Sequence, residues 1–403
     1  MTICHVAPEL LPVPPTRGGA IERWIRDATR LLAARGHDVH VISRDQGDET
    51  REAYLEGVHY HYIRIPRGID RGRGAALFRG LWYFVAAGRL LARVDPDVVH
   101  HHNRAGGLYI GRMFARRARQ IISLHSMSYG WHFIYKAWDS VTYRRAFQAS
   151  DRVLCVSNFV TRHFLELYPE LASKTRTLYN GVDGSTFYPD SKNARGSDER
   201  TVLFVGRVEE RKGVHVLLDA FERVVSTASH VKLRLVGPHS YWNQEPSPFY
   251  RALVDRCNTI PHVELQEATY VDRDLAEIYR SATISVVPSV FPEALGLTSL
   301  EAQASGVPVV VSSAGGLPET VLPNESGVVF ENGDAEGLAA SVLSLLNDPE
   351  RLRTMGAAAR EWAMKQFSWD VVAAELDRIY SELPGQVGQV GQVGQVGQGG
   401  AGR

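Results

Sequence analysis

Short apolar runs alternate along the chain with longer stretches in which apolar residues recur every three or four positions. This spacing predicts a strand over Thr2–Ala7, a helix over Ala20–Arg35 and a strand over Asp38–Ser43. Further strands are expected at Val98–His101, Gln120–Leu124 and Arg152–Val156. Alternation of this kind builds a parallel sheet with crossover helices, an open α/β architecture. Residues 190–200 (DSKNARGSDER) are polar and poor in large apolar side chains, which marks a linker. The pattern then restarts with a strand at Thr201–Val205, a helix over Gly213–Ser226 and a strand at Lys232–Val236. Strands follow at His262–Leu265, Ile284–Pro288 and Pro308–Ser312, and an amphipathic helix is expected over Trp369–Glu382.

The chain therefore divides into an N-terminal domain (1–189), a linker (190–200), a C-terminal domain (201–367), a closing helical segment (368–383) and a tail (384–403). The tail repeats Gly-Gln-Val without proline and is too short for a collagen-like helix, so it reads as disordered. Ligands of open α/β sheets lie beyond the carboxyl ends of the strands, which places the expected site in a cleft between the two halves.

A length of 403 residues allows two or three domains, each with its own core. Lys+Arg and Asp+Glu are equal at 45 each, which argues against a nucleic-acid binder, whose phosphate contacts need a basic surplus. The balance is uneven along the chain. Residues 1–190 hold 26 basic against 18 acidic side chains (+8), and residues 191–403 hold 19 against 27 (−8). Either two complementary lobes pack together, or the basic half meets an anionic surface or acceptor. Cys4, Cys155 and Cys257 are odd in number and lack metal-ligand spacing, as expected of free thiols in a reducing compartment. The opening residues lack the basic and apolar regions of a signal peptide, and Arg79, Arg89 and Arg93 break the most membrane-like stretch, Ala75–Val94. The expectation is a cytoplasmic protein. An interfacial helix at Leu77–Arg93 is the less favoured reading of that stretch.

Four segments carry candidate chemistry. The first strand runs into PELLPVPPTRGG, where Gly18 and Gly19 either open a helix N-terminus to close approach by phosphate or sugar or simply make an ordinary strand-to-helix turn. Arg207 follows a strand and Lys212 precedes a helix, so both can face the cleft and neutralise a diphosphate; as a bland alternative they are solvated surface cations. In Pro292–Ala302, Glu293 precedes a helix whose first amides, at Gly296, Leu297 and Thr298, suit an anion. Thr298 and Glu301 have capping-box spacing, so Glu301 is either a cap or a ribose ligand. His125 ends a strand, where it can bond a sugar hydroxyl or be a core histidine. His100, His101 and His102 alternate faces on a strand, which disfavours a shared metal ion; His102, Asn103 and Arg104 are expected on the acceptor side. Serine-hydrolase, zincin, Cys-x-x-Cys and P-loop motifs do not occur.

With these residues the chain resembles the family-4 glycosyltransferases, retaining enzymes of the GT-B architecture, from about Thr2 to Glu382. The resemblance rests on the Gly18-Gly19 loop, Ser123-Leu124-His125, Asn180-Gly181-Val182-Asp183, Gly206-Arg207 with Lys212-Gly213, and Glu293 through Glu301. Ser305-Gly306-Val307-Pro308 and Gly315-Gly316-Leu317-Pro318-Glu319 add to it. It implies two Rossmann-like domains facing across a cleft, with the helix Trp369–Glu382 crossing back to the N-terminal lobe. It further implies a nucleotide-sugar donor in the C-terminal lobe. Arg207 and Lys212 would hold the diphosphate, Glu293 and the Gly296–Thr298 backbone the sugar and phosphate, and Glu301 the ribose, with Gly19 and His125 closing over them. Such enzymes need no metal, and UDP is their commonest nucleotide. One departure concerns the base: Gln266-Glu267-Ala268-Thr269 stands where relatives often carry a glycine. The opening loop looks closest to spore-coat or surface-polysaccharide transferases and to aminoglycoside-antibiotic transferases. The implied reaction moves a hexosyl or aminohexosyl group to a hydroxyl of a small-molecule or glycan acceptor with α linkage. Two alternatives remain: a nucleotide-sugar epimerase, which would isomerise its substrate with no acceptor present, and a catalytically silent coat or scaffold protein, which would bind no nucleotide.

Overall fold

A computed structural model describes residues 1–15, 19–45, 47, 51–66, 75–126, 136–189, 200–239, 245–267, 269 and 271–383, with only the backbone described for helical residues 75–78 and 136–142. The first lobe holds strands β1 (Thr2–Val6), β2 (Asp38–Arg44), β3 (Glu52–Leu55), β4 (Val58–Ile63), β5 (Val98–His102), β6 (Arg119–Leu124), β7 (Arg152–Cys155) and β8 (Thr175–Thr177). They form one sheet in the order β3-β4-β2-β1-β5-β6-β7-β8, parallel except for the β3–β4 hairpin. The second lobe holds β9 (Arg200–Val205), β10 (Val231–Val236), β11 (Val263–Gln266), β12 (Ile284–Val287), β13 (Val309–Ser312) and β14 (Gly327–Phe330) in the order β11-β10-β9-β12-β13-β14. All its pairings are parallel. Parallel sheets carry helices on both faces, which is why β1, β9, β12 and β13 read as near-continuous apolar runs. In each sheet the strand order reverses beside the first strand, β1 or β9, and a crevice opens there at the carboxyl ends.

The final helix spans Trp369–Glu382 and returns to the first lobe. Ser368 caps it, its hydroxyl accepting from the Val371 amide. Trp369, Val372, Leu376, Ile379 and Tyr380 pack with Trp24, Ile25 and Leu32 of the helix Ala20–Ala34. Val182 ties this crossing down through its backbone, its amide donating to the Phe367 oxygen at 2.7 Å and its oxygen accepting from the Trp369 amide at 3.2 Å. A Cβ on Gly181 would sit 2.3 Å from the Trp369 ring, so only glycine admits the indole there.

The strand expectations match within a residue or so at each end. Four strands were not anticipated: β3, β4, β8 and β14. Of the expected linker, only Arg200 is described, and it opens β9; the tail 384–403 and Gly18 lie outside the described residues. The helix Ala75–Val94 buries Tyr83, Ala87 and Leu91 against the sheet and exposes Leu81 and Trp82. Among the described residues no helix is long and apolar enough to cross a membrane. All three cysteines are buried and unpaired.

Candidate active site

The strand ends of both lobes converge on one cavity of about 630 Å³. Gly19, His125, Arg207, Lys212, Glu293, Gly296, Leu297, Thr298 and Glu301 all line it, from loops that are distant in sequence.

On the C-terminal side, Gly213 is the hinge. Its φ is +70°, and a Cβ there would meet the Pro288 carbonyl oxygen at 1.8 Å. Glycine thus lets the turn Glu210–Lys212 press against the end of β12, which delivers Lys212 to Glu293. Lys212 Nζ donates to Glu293 Oε1, and Ser289 Oγ donates to the same oxygen at 2.6 Å. Burial pushes the Glu293 carboxyl up, but Lys212, Ser289 and Arg211 outweigh it and hold the group below the ordinary carboxylate range. Glu293 is therefore ionised beside its cation. Glu209 accepts from Arg207 Nη1 at 3.2 Å and from Arg211 Nε at 2.6 Å, joining Arg207, which lines the cavity, to a second guanidinium group. Sequence reasoning missed Glu209, whose only signal was its position between the two arginines.

The helix Leu297–Ala304 starts at the cavity wall with Gly296 as its N-cap and no side-chain cap. Its positive end faces the space beside Glu293. Of the two readings of Glu301, the capping box does not form. Thr298 is already inside the first turn, and Glu301 reaches across to the other lobe instead. Glu301 Oε1 accepts from Arg23 Nη2 at 3.0 Å, and Oε2 from the Tyr279 hydroxyl at 3.0 Å. Arg23 also pairs with Asp272 at 3.3 Å, and Arg26 bridges Asp272 at 3.2 Å and Asp27 at 2.7 Å. Burial raises the Glu301 carboxyl, and Arg23 and Tyr279 only partly oppose that. Arg23 and Asp272 were not anticipated, because nothing local in the sequence joins positions so far apart.

On the N-terminal side, Asn103 adopts a left-handed φ of 55° and accepts from the His125 backbone amide at 2.6 Å. It fixes the His125 loop from beneath and itself lines the cavity. Burial lowers the His125 imidazole to about 3, so the ring is neutral; the adjoining Asn180 side chain opposes part of the shift. The other two acceptor-side residues are placed differently from the expectation. His102 is completely buried, because its strand parity turns it inward with His100, and its Nδ1 meets His125 Nε2 at 3.0 Å. Arg104 forks onto Glu9 at 2.9 and 3.1 Å. His101 points to the opposite face and bonds Gln120 at 3.0 Å, as strand alternation requires. His5, on the neighbouring strand β1, was missed. It completes a group with His100 and His102 whose ring nitrogens lie within 4.8 Å of one another.

Residues 18–185 match the profile described as Glycosyltransferase Family 4, and residues 189–362 match Glycosyl transferases group 1. The D-inositol 3-phosphate glycosyltransferase of Segniliparus rotundus is 35% identical over 390 residues, covering 92% of this chain and 85% of that protein. The chain belongs to glycosyltransferase family 4. This glycosyltransferase is also 27% identical to Spore coat protein SA of Bacillus subtilis, over 95% of this chain and 100% of that protein. Among solved structures, sucrose-phosphate synthase from Thermosynechococcus elongatus superposes with a TM-score of 0.77 at 24% identity, covering 95% of this chain and 99% of that one. Anabaena HepE in complex with UDP and glucose gives a TM-score of 0.73 at 18% identity, covering 94% of this chain and 99% of that one. The family-4 transferase thus has the GT-B fold, with its cavity between the two Rossmann-like lobes.

Proposed function

We propose that this glycosyltransferase moves a hexosyl or aminohexosyl group from a UDP-sugar to an acceptor hydroxyl, with retention and an α linkage. The observation that carries the reading is the meeting of Lys212 with an ionised Glu293 beside the N-terminus of the helix Leu297–Ala304. Lys212, Arg207 and the helix end offer positive charge where a diphosphate departs, and Glu293 offers an acceptor to sugar hydroxyls. Such an array stabilises the leaving group through the chain's own cations, and transfer without a metal is part of the proposal. The leaving phosphate oxygen is the base that takes the acceptor proton on the same face. Glu301 binds the ribose: each carboxylate oxygen keeps a lone pair beyond its contact with Arg23 or Tyr279, and the residue lines the cavity.

The choice of UDP draws on HepE, a neighbour solved with UDP. The spore-coat relative and the inositol-phosphate transferase support a surface or spore-coat glycan, or an aminocyclitol of the aminoglycoside type, as acceptor. The test is a thermal-shift panel of UDP, GDP, ADP and dTDP in EDTA. A ligand binding only the folded state stabilises it by about 2.7 kcal/mol at a hundredfold excess over Kd. Stabilisation by UDP alone is expected. A shift that needs added divalent metal removes the metal-independent site, and no shift with any nucleotide moves the weight to a silent scaffold.

A further inference from the structure

Among the described residues four acidic side chains are more than nine-tenths buried: Glu9, Glu22, Asp27 and Glu301. A buried carboxylate is costly unless a cation or several donors accompany it. Three of the four have their cation. Glu9 holds Arg104 at 2.9 Å, Asp27 holds Arg26 at 2.7 Å and Glu301 holds Arg23 at 3.0 Å. Glu293, in the cavity wall, has Lys212. Glu22 is the exception, for no side chain among the described residues pairs with it. Burial raises its carboxyl to about 7, and its own backbone amide opposes only part of the rise.

The local fold seats this group on the cavity wall. Glu22 lies in the first turn of the helix Ala20–Ala34, and its carboxyl turns back over Gly19, whose φ is +113°. A Cβ on Gly19 would stand 2.4 Å from Glu22 Oε2 and 3.1 Å from Leu11 Cδ1, so glycine there makes room for the carboxyl. Glu22 lines the cavity together with Pro8, Leu10, Leu11, Pro15 and Ile21 of the same lobe. Apolar walls leave a lone carboxylate poorly solvated and strengthen any charge pair it forms. A carboxylate repels a diphosphate, so Glu22 does not suit the charged end of a nucleotide sugar. It suits a cation, and the apolar side chains around it suit the C–H face of a ring. The N-terminal half is basic overall, yet Arg23, Arg26 and Arg104 are each committed to a carboxylate of their own. The cation that Glu22 lacks is one a ligand can bring.

We infer that Glu22 is a specificity-determining residue on the acceptor side of the cavity, where it pairs with an ammonium group of an amine-bearing ring. That the ring is an acceptor rests on the proposed transferase reaction; that the site takes an ammonium does not.

The test is calorimetric titration of the full-length protein, with and without UDP, using two probes. One is 2-deoxystreptamine, and the other is the same ring with hydroxyls in place of its two amines. A charge-assisted pair in a shielded site is worth about tenfold or more in affinity, so the wild type should bind the diamine at least tenfold more tightly. Glu22→Gln keeps the shape and removes the charge. It should bind the two rings within about twofold of each other, with the hydroxyl ring bound as in the wild type. The wild-type comparison decides by itself if the variant fails to fold. Equal binding of the two rings by the wild type overturns the inference, as does no binding of the diamine or a preference that survives in Glu22→Gln. A preference that Glu22→Gln abolishes, in a wild type that transfers no sugar to the diamine, supports the ammonium site and sinks the transferase reading alone.

Discussion

At the scale of single residues, the contact between Lys212 and Glu293 is the most exposed to experiment. Lys212 touches an ionised carboxylate and lines the cavity, so its charge is held in place before any ligand arrives. Losing one preorganised electrostatic donor costs roughly 10²-fold in turnover, and Lys212→Ala should slow sugar transfer by about that much. Arg207→Ala should do likewise. Steady-state kinetics check both, and turnover near wild type in the two variants would remove these cations from the leaving-group role. Glu301 shows how far residue patterns reach. Its spacing from Thr298 suits a cap, yet its partners are Arg23, 278 positions away, and Tyr279. A spacing rule describes which groups can meet along one helix; it carries no information about a cation arriving from the other lobe.

At the scale of elements, legibility followed burial. Strands β1, β9, β12 and β13, with both faces covered, showed as apolar runs in the sequence. The edge hairpin was not seen: β3 is largely exposed, and β4 reads VHYHYI, whose histidines and tyrosines blur the alternation although Val58, Tyr60 and Ile63 are buried. β8 is three polar-flanked residues long and has almost no pattern to read. The histidines of β1 and β5 are the reverse case, polar side chains in a fully covered layer. Burial lowers His5 to about 3 and His101 to about 4, and holds His100 and His102 well below the usual value. Each group therefore binds its proton more readily in the unfolded chain, near pH 6.5, than in the folded one. Stability attributable to them is full above that pH and drains away as pH falls toward the folded values. At pH 5 a ring displaced to about 3 costs about 2 kcal/mol, and several such rings together rival a typical domain stability of about 5–15 kcal/mol. The N-terminal lobe should therefore lose stability steadily as pH falls from about 7 to about 5, and denaturant unfolding at each pH measures it. Equal stability at about pH 7 and about pH 5 would show that these rings are not held neutral.

At the scale of the whole molecule, the opposite charge balance of the two halves has a local counterpart in the structure. Basic Arg23 and Arg26 from one lobe meet acidic Glu301 and Asp272 from the other. A second tie was not visible in the sequence, because it joins a side chain to a backbone. Glu319 accepts from the amides of Asn158 and Phe159 at 2.8 and 2.6 Å, and from the Tyr179 hydroxyl at 3.0 Å. It thereby caps, from the C-terminal lobe, the positive end of the N-terminal-lobe helix Asn158–Leu167. Charge-assisted bonds of this kind are stronger than neutral ones, so Glu319→Gln should weaken the closed arrangement by about 1–2 kcal/mol. The groups proposed to hold the donor and those proposed to close over it sit in different lobes, and the two consequences separate. Nucleotide binding in the thermal-shift panel should stay within about twofold of wild type, since Lys212, Glu293 and the helix Leu297–Ala304 all belong to the C-terminal lobe. Transfer should fall by about tenfold, because His125 and Asn103 face the cavity from the N-terminal lobe and line it together with Lys212 and Glu293 only when the lobes meet. Equal losses in binding and transfer would place Glu319 in the stability of one lobe, and no loss in either would mean the lobes close without it.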